Sequence, residues 1–214
     1  MNQVGFFSSL FRWLSPRTRE QSEPKTDVHS VKVFGIGLPK TGTTTLGMCF
    51  QQLGYKHCSY QPELTQDLME GNLERLYQLA DTHDSFEDHP WMWHYKELAT
   101  CYPDAKFVLT TRESGERWMD SAIHHDQRQS TDVGDAGRLV FGHYLPGVTA
   151  DNLHDTHSKR VLQFFSNRPD RLLEVCWERD PSWNRLCEFI GKPIPNIPFP
   201  HENRRPEENG IQVT

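Results

Sequence analysis

The sequence lacks the features that would place it in several large classes of protein. Its 214 residues contain 23 Lys and Arg against 29 Asp and Glu, a net charge of −6, so no basic excess is available to neutralise a nucleic-acid backbone. Its five cysteines are odd in number and form no C-x-x-C pair, which favours reduced thiols in a cytoplasm-like compartment over a disulfide framework. The content of hydrophobic (36%) and charged (24%) residues is that of a globular domain, and no nucleic-acid partner is expected.

A hydrophobic run long enough to span a bilayer is also missing. The aromatic-rich segment at 4–14 is too short for a transmembrane helix, and it lacks the basic start and cleavage site of a signal peptide. This segment could make a peripheral membrane contact, or it could be a helix docked on the domain or a frayed terminus. We divide the chain into an N-terminal amphipathic segment and linker at 1–30, a folded domain at 31–205 and a polar tail at 206–214.

Strand-like apolar runs alternate with helical patterns along the folded domain. The strands are predicted at 31–37, 84–88, 105–111 and 171–176. The helices are predicted at 43–53, 90–102, 115–126, 151–167 and 181–190. This alternation predicts a three-layer α/β/α fold of the P-loop nucleotide-binding type, with a central parallel sheet of about four to five strands. Ligands of such sheets bind at the carboxyl ends of the strands, so the loops after residues 37, 87 and 111 are the candidates for a site.

The loop after the first strand predicts a phosphate site. Gly37 and Gly42 have the spacing of a Walker A loop, but Thr43 stands where that motif has its lysine. The loop's lysine, Lys40, comes two residues before the second glycine and so lies on the opposite limb. Loop amides, helix-start amides and the Lys40 charge suit a nucleotide with a single 5′-phosphate group, whereas a γ-phosphate with Mg²⁺ fits poorly.

Arg112 directly follows the third predicted strand, and Ser121 lies on the helix after it. A guanidinium beside a serine hydroxyl suits a second phosphate, because both groups donate hydrogen bonds to phosphate oxygens. The alternative is an arginine–carboxylate pair that closes the strand. The neighbouring phosphate loop favours the second phosphate.

Asp88 and His89 follow the second predicted strand and lie at the same edge of the sheet. Either residue could act as a general base on an acceptor hydroxyl near Lys40, if the two strands are neighbours. The alternative for Asp88 is to cap a helix that begins at Pro90, and the two roles are compatible.

These segments resemble the sulfotransferases that use 3′-phosphoadenosine 5′-phosphosulfate (PAPS). Residues 38–46 are similar to the 5′-phosphosulfate loop of that family, and residues 107–112 with Ser121 are similar to its 3′-phosphate site. The Asp88-His89-Pro90 segment falls where many members carry the base. Arg112 and Ser121 are nine residues apart, one more than the usual spacing. Including residues 183–193 and 199–203, the likeness extends from about residue 31 to 205.

The resemblance implies a transfer of a sulfuryl group from PAPS to an acceptor hydroxyl or amine, with 3′-phosphoadenosine 5′-phosphate as product and no metal required. It assigns catalysis to Lys40 and Asp88, with His89 in reserve. The cofactor-binding residues that it implies are Pro39, Lys40, Thr41, Gly42, Thr43, Thr44, Thr45, Arg112, Ser121, Arg204 and Arg205. The acceptor could be a small molecule, a lipid or a carbohydrate, and the sequence does not indicate the oligomeric state.

Two other functions are compatible with the sequence. A sulfotransferase-like module without turnover would keep the nucleotide site and bind without transfer. A small-molecule kinase would bind ATP with Mg²⁺, but the Gly-Lys pair of a Walker loop and an obvious Walker B aspartate are absent from the sequence.

Overall fold

A computed structural model describes residues 31–128 and 141–200 of the chain, with the backbone alone for 125–128. Five parallel strands form one sheet in the order β2-β3-β1-β4-β5. The strands are β1 Val33–Gly35, β2 His57–Cys58, β3 Ser85–Phe86, β4 Lys106–Thr110 and β5 Leu172–Val175. The prediction of a parallel sheet with four to five strands is confirmed, and β2 is the strand that the sequence did not indicate.

Helices connect the strands. They are α1 Thr43–Gln52, α2 Thr65–Met69, α3 Glu74–Thr82, α4 Tyr95–Cys101, α5 Gly115–Arg128, α6 Ala150–Phe165 and α7 Trp183–Ile190, with short 3₁₀ turns at Pro62–Leu64 and Pro169–Arg171. The observed helices agree with four predicted ones to within a few residues and add α2 and α3. Within the described ranges, none of the helices is long and apolar enough to cross a membrane.

Side chains alternate between two cores on the opposite faces of the sheet. Phe34 and Phe107 point into one core, together with apolar residues of α3, α4, α5 and α6. Val33 and Val108 point into the other, with apolar residues of α1 and α7. Because helices cover both faces, the residues of β1 and residues 107–110 of β4 are buried whichever face they point to, as expected of a parallel sheet. The three-layer α/β/α architecture is therefore confirmed.

The strand order reverses next to β1. The chain passes from β1 to β2 and β3 on one side, and then to β4 and β5 on the other. In sheets of this kind the crevice for a ligand lies outside the carboxyl ends of the strands at this reversal. The loops after β1, β3 and β4 meet there, and they are the three loops singled out by the sequence.

One predicted helix begins later than the sequence indicated. The expected helix at 90–102 starts at Tyr95, and residues 90–94 form turns in which the Trp93 amide donates to the Pro90 carbonyl at 3.0 Å. Trp91 is fully buried there, and its Nε1 donates to the Ser59 carbonyl at 3.0 Å. Burial of this large side chain and its hydrogen bond outweigh the weak helical preference of the segment. Asp88 therefore does not cap α4.

Candidate active site

The loop from β1 to α1 is held in a tight conformation by two glycines. A Cβ atom at Gly37 would lie 2.0 Å from the Thr110 hydroxyl oxygen on the adjacent strand. Gly42 has a φ of +95°, and a Cβ there would lie 2.4 Å from the Trp177 ring. Helix α1 starts at the next residue, Thr43, so its first amides, which have no acceptor within the helix, face the space beyond the loop. This arrangement fits a 5′-phosphate.

Neighbouring elements fix the loop from behind. Trp118 on α5 donates from Nε1 to the Pro39 carbonyl at 2.8 Å, and Trp177 after β5 donates from Nε1 to the Gly42 carbonyl at 3.2 Å. The Thr41 hydroxyl donates to the Leu38 carbonyl and is also 2.6 Å from the Thr110 hydroxyl. The Thr41 amide also donates to the Leu38 carbonyl, so the amide and the hydroxyl of Thr41 are bonded within the protein. These contacts stabilise the shape of the loop.

The three threonines after Gly42 differ in exposure. Thr43 and Thr45 are buried and Thr44 is exposed. Thr43 also hydrogen-bonds Asp88 through its side chain. The hydroxyl of Thr43 thus joins the start of α1 to the end of β3.

Lys40 lies at the tip of the loop in a left-handed conformation, with a φ of +72°. Such a conformation costs a residue with a side chain on the order of 1 kcal/mol or more. The carbonyl of Lys40 accepts a hydrogen bond from Arg112 Nε at 2.6 Å. Its ammonium group is near enough to Asp88 to lower the pKa of that carboxyl. The strained tip therefore places the lysine charge near the end of β3 and the Lys40 carbonyl near the end of β4.

Asp88 is largely buried at the end of β3, also with a positive φ, +68°. Burial and the adjacent Glu87 raise the pKa of Asp88 to about 6, against the opposing effects of the His89 amide, Lys40 and Thr43. The His89 amide donates to Asp88 Oδ1 at 2.7 Å. A carboxyl with a pKa near 6 is suited to accept a proton close to neutral pH.

His89 is buried and faces away from the loop. Its Nε2 is 2.9 Å from the Thr65 hydroxyl, and its ring is 6.0 Å from that of Tyr60. Burial lowers the pKa of His89 to about 4, so the ring is neutral at physiological pH. The contacts of Asp88 and His89 therefore favour Asp88 as the residue that faces Lys40.

A second carboxyl, Glu87, is buried directly behind Asp88. It is 4% exposed and accepts a hydrogen bond from the Ser59 hydroxyl. His57 Nε2 lies 3.6 Å from Glu87 Oε1, and His57 Nδ1 is 3.0 Å from the Ser85 hydroxyl. Within the described part of the chain, neither Glu87 Oε2 nor His57 Nε2 has a hydrogen-bond partner. Glu87 thus contributes a poorly compensated negative charge next to Asp88.

Replacing Glu87 with Gln is expected to lower the pKa of Asp88 by roughly one unit, because the nearest like charge is removed. The titration of the Asp88 carboxyl, followed by carbon-13 NMR and assigned with Asp88→Asn, measures this shift. Glu74→Gln, at an exposed position on α3, is the matched control and should leave the titration unchanged. An unaltered pKa in Glu87→Gln would show that burial alone sets the value.

Arg112 follows β4 and reaches several groups of the site. Its Nε donates to the Lys40 carbonyl, Nη1 to Glu178 Oε1 at 2.7 Å, and Nη2 to the Ser121 hydroxyl at 3.4 Å. The structure thus brings Ser121 to Arg112 in spite of the additional residue between them. It also contains the arginine–carboxylate pair that was the alternative, with Glu178 as the partner.

Two histidines of α6 support this region. His154 Nε2 accepts the Arg112 amide at 3.2 Å, and His154 Nδ1 is 2.8 Å from Asp155. His157 is buried, and its Nε2 donates to the Ile36 carbonyl at 2.7 Å. Burial lowers the pKa of His157 to about 4. Both rings therefore hold the ends of β1 and β4 in place. Arg204 and Arg205, expected to reach the cofactor, lie outside the described residues.

The sequence did not indicate several residues of this site. Glu178, Trp177 and Trp118 hold the loop or Arg112, and Glu87 and His57 lie side by side behind Asp88. None of them belongs to a short motif. The one local signal was the adjacency of Glu87 and Asp88 at the end of a strand.

Comparison with known proteins assigns the chain to a family. A family model described as sulfotransferase domain matches residues 32–135 and 138–207. The chain belongs to this family, as the resemblance of its motifs predicted. A curated relative from Aspergillus versicolor, the Ava biosynthesis cluster protein M, is 26% identical over 213 residues, covering 80% of each chain.

Proposed function

We propose that this protein transfers a sulfuryl group from PAPS to the hydroxyl or amine of an acceptor. The observation that carries the proposal is the hydrogen bond from Arg112 Nε to the Lys40 carbonyl, at 2.6 Å. It joins the phosphate loop to a second cationic group at the same edge of the sheet. A nucleotide with phosphates at both its 5′ and 3′ ends matches two such positions, whereas a simple nucleoside monophosphate matches one.

The loop and Lys40 would hold the 5′ end of the donor. The amides at the start of α1 suit the 5′-phosphate, and the Lys40 ammonium would neutralise the negative charge that develops on the bridging oxygen as the sulfur–oxygen bond breaks. The bond between the acceptor oxygen and sulfur forms as this bond breaks, and 3′-phosphoadenosine 5′-phosphate leaves.

Asp88 would accept the proton of the acceptor hydroxyl. It lies next to Lys40 and hydrogen-bonds Thr43, so its carboxylate can approach an acceptor that is aligned with the sulfur. Its pKa of about 6 leaves it mostly ionised at neutral pH and still basic enough for proton transfer. Arg112 and Ser121 would bind the 3′-phosphate, and they would contribute mainly to affinity and to alignment.

Thermal unfolding with nucleotides tests the donor part of this proposal. At a hundredfold excess over its dissociation constant, 3′-phosphoadenosine 5′-phosphate is expected to stabilise the fold by about 2.7 kcal/mol. For a chain of this size that corresponds to an increase in Tm of roughly 5–10 °C. AMP, which lacks the 3′-phosphate, should give a smaller shift. A shift with ATP and Mg²⁺ but none with the bisphosphate would instead indicate a kinase.

Turnover tests the transfer itself. Labelled PAPS, incubated with panels of small alcohols, phenols, amines, carbohydrates and lipids, should yield a labelled sulfated product. Binding of the bisphosphate with no product from any panel would favour a module that binds the nucleotide without transfer.

A further inference from the structure

The carboxylate of Glu178 accepts hydrogen bonds from Arg112 and from a backbone amide next to it. One carboxylate oxygen, Oε1, accepts from Arg112 Nη1 at 2.7 Å and lies 3.9 Å from Arg117 Nη1. The other, Oε2, accepts from the Glu113 amide at 3.0 Å. Although partial burial acts in the opposite direction, the Glu113 amide and the Arg112 guanidinium lower the pKa of Glu178. Glu178 is therefore an anion held by two guanidinium groups and a backbone amide.

This donor set is the kind that binds phosphate. Guanidinium groups and a backbone amide just before a helix bind phosphate oxygens as readily as carboxylate oxygens. Glu113 immediately precedes Ser114 and the first turn of α5, and Arg117 lies within that turn. The Ser121 hydroxyl, on the same helix, is within reach of the same guanidinium. Glu178 thus holds Nη1 of the guanidinium whose other amino group, Nη2, contacts Ser121, so a phosphate bound at Arg112 and Ser121 would share that guanidinium with Glu178.

We propose that Glu178 determines the affinity of the nucleotide site by competing with the 3′-phosphate for Arg112. This proposal rests on the proposed function, because it takes the 3′-phosphate as the ligand of Arg112. Without nucleotide, the Glu178 carboxylate binds Arg112. When the nucleotide binds, the 3′-phosphate takes over the guanidinium, and the Glu178 side chain turns away from it.

The backbone around Glu178 restricts this exchange to the side chain. The preceding residue, Trp177, is 6% exposed and hydrogen-bonds the Gly42 carbonyl. The following amides of Arg179 and Asp180 both donate to the Cys176 carbonyl, at 3.0 and 3.1 Å. The turn is therefore fixed at both ends, while the Glu178 side chain is 23% exposed and has solvent to move into.

The competition weakens donor and product alike. A displaced carboxylate still lies within a few ångströms of the bound phosphate, and two like charges at that distance repel each other even where solvent screens them. PAPS and 3′-phosphoadenosine 5′-phosphate both carry the 3′-phosphate, so Glu178 accelerates release of the product as well. A nucleotide without the 3′-phosphate leaves the pair of Glu178 with Arg112 intact.

A purely structural role for Glu178 predicts the opposite sign. If the carboxylate served to orient Arg112, its removal would leave the guanidinium free to turn, and the bisphosphate would bind more weakly. The direction of the change in affinity therefore decides between the two roles.

The test compares Glu178→Gln with wild type by calorimetric titration, using 3′-phosphoadenosine 5′-phosphate and AMP as probes. Glu178→Gln should bind the bisphosphate about tenfold more tightly, because the charge that repels it is removed. The affinity for AMP should stay within about twofold of wild type, since AMP does not displace Glu178. Glu178→Ala should likewise bind the bisphosphate more tightly and leave the affinity for AMP unchanged, which guards against a local defect of the Gln variant.

Glu188→Gln is the matched control. Glu188 is an exposed carboxylate on α7 and makes no hydrogen bond to Arg112 or to the Glu113 amide in the described structure. The substitution removes one negative charge elsewhere on the surface, so affinity for both nucleotides should change by less than about twofold, as is usual for exposed positions.

Each of the following results would overturn the proposal. An unchanged affinity of Glu178→Gln for the bisphosphate would contradict the competition, and a weaker affinity would assign Glu178 a structural role. An equal gain in affinity for AMP and for the bisphosphate would show that the effect is a general electrostatic one and does not depend on the 3′-phosphate. If folded wild type and Glu178→Gln both failed to bind the bisphosphate, both the competition and the proposed function would be wrong. If wild type bound the bisphosphate more tightly than AMP but Glu178→Gln showed no gain, the competition would be contradicted and the proposed function would stand.

Discussion

Asp88→Asn is expected to make the protein more stable while it strongly slows transfer. The folded-state pKa of Asp88, about 6, lies above the ordinary value of 3.8. The folded state therefore favours the protonated form, and this contribution to stability is lost as the pH rises from about 4 through 6. At pH 7 the ionised carboxylate costs the fold about 3 kcal/mol. Asn is neutral at every pH and tolerates a positive φ, so it should recover much of this free energy.

The same substitution removes the proposed proton acceptor. General base catalysis commonly contributes on the order of 10²–10⁴ in rate, and Asn is expected to lose a factor in this range from kcat. Melting curves between pH 4.5 and 8, together with turnover of PAPS, measure both effects. The Tm of the variant should exceed that of wild type increasingly from pH 4.5 to 7. Above pH 7 the difference should remain constant.

Asp104→Asn is the control for Asp88→Asn. Asp104 is exposed and precedes β4, so the variant should melt and turn over as wild type does. An Asp88→Asn variant with normal turnover would remove Asp88 from the mechanism. A variant that is less stable than wild type at pH 7 would show that the hydrogen bonds of the carboxylate outweigh the cost of burying its charge.

Lys40→Met is expected to lower the rate of transfer by about 10²–10³-fold, the usual effect of removing one group that stabilises developing charge. Met has nearly the length of Lys and the same backbone cost at a φ of +72°, so the substitution isolates the loss of charge. Because Lys40 lowers the pKa of Asp88, the acid limb of the pH–rate profile should also move to higher pH. Single-turnover measurements with labelled PAPS separate this loss from any change in donor affinity.

The matched control for Lys40 is Lys96→Met. Lys96 is exposed on α4 and lies over the Tyr95 ring, 5.8 Å from its centroid. Its loss should leave the transfer rate within about twofold of wild type, as for most exposed positions. A Lys40→Met variant with full turnover would refute the proposed role of the loop. A variant with weaker donor binding but unchanged single-turnover rate would limit Lys40 to binding.

The elements with strong patterns were predictable from the sequence, and those stabilised by tertiary contacts were not. Strand β4 and helix α1 have long apolar or glycine-bounded patterns, and both were predicted. Strand β2 has two residues, His57–Cys58, which carry no periodicity of their own. The start of α4 was predicted wrongly because Pro90 is a good first helical residue in isolation, whereas burial of Trp91 imposes turns on residues 90–94.

The same distinction applies to the site. The phosphate loop and Arg112 stand in or beside contiguous motifs, and their meeting at one sheet edge follows from the parallel topology. The contact of Glu178 with Arg112 joins residues 66 positions apart, and that of His57 with Glu87 joins two neighbouring β-segments. Such pairs depend on the order of strands in the sheet, which the sequence alone did not indicate.

Through Arg112, the conformation of the phosphate loop depends on what is bound at the other end of the site. The guanidinium that would bind the far end of the donor also donates to the carbonyl of Lys40, a residue with a positive φ whose ammonium we propose to stabilise the leaving group. A change at residue 112 should therefore appear in both KM and kcat. A donor that lacks its 3′-phosphate should also react more slowly once bound, because nothing then draws Arg112 from Glu178 into the alignment that the intact donor produces. We therefore expect discrimination between donors to extend from binding into the proposed transfer step.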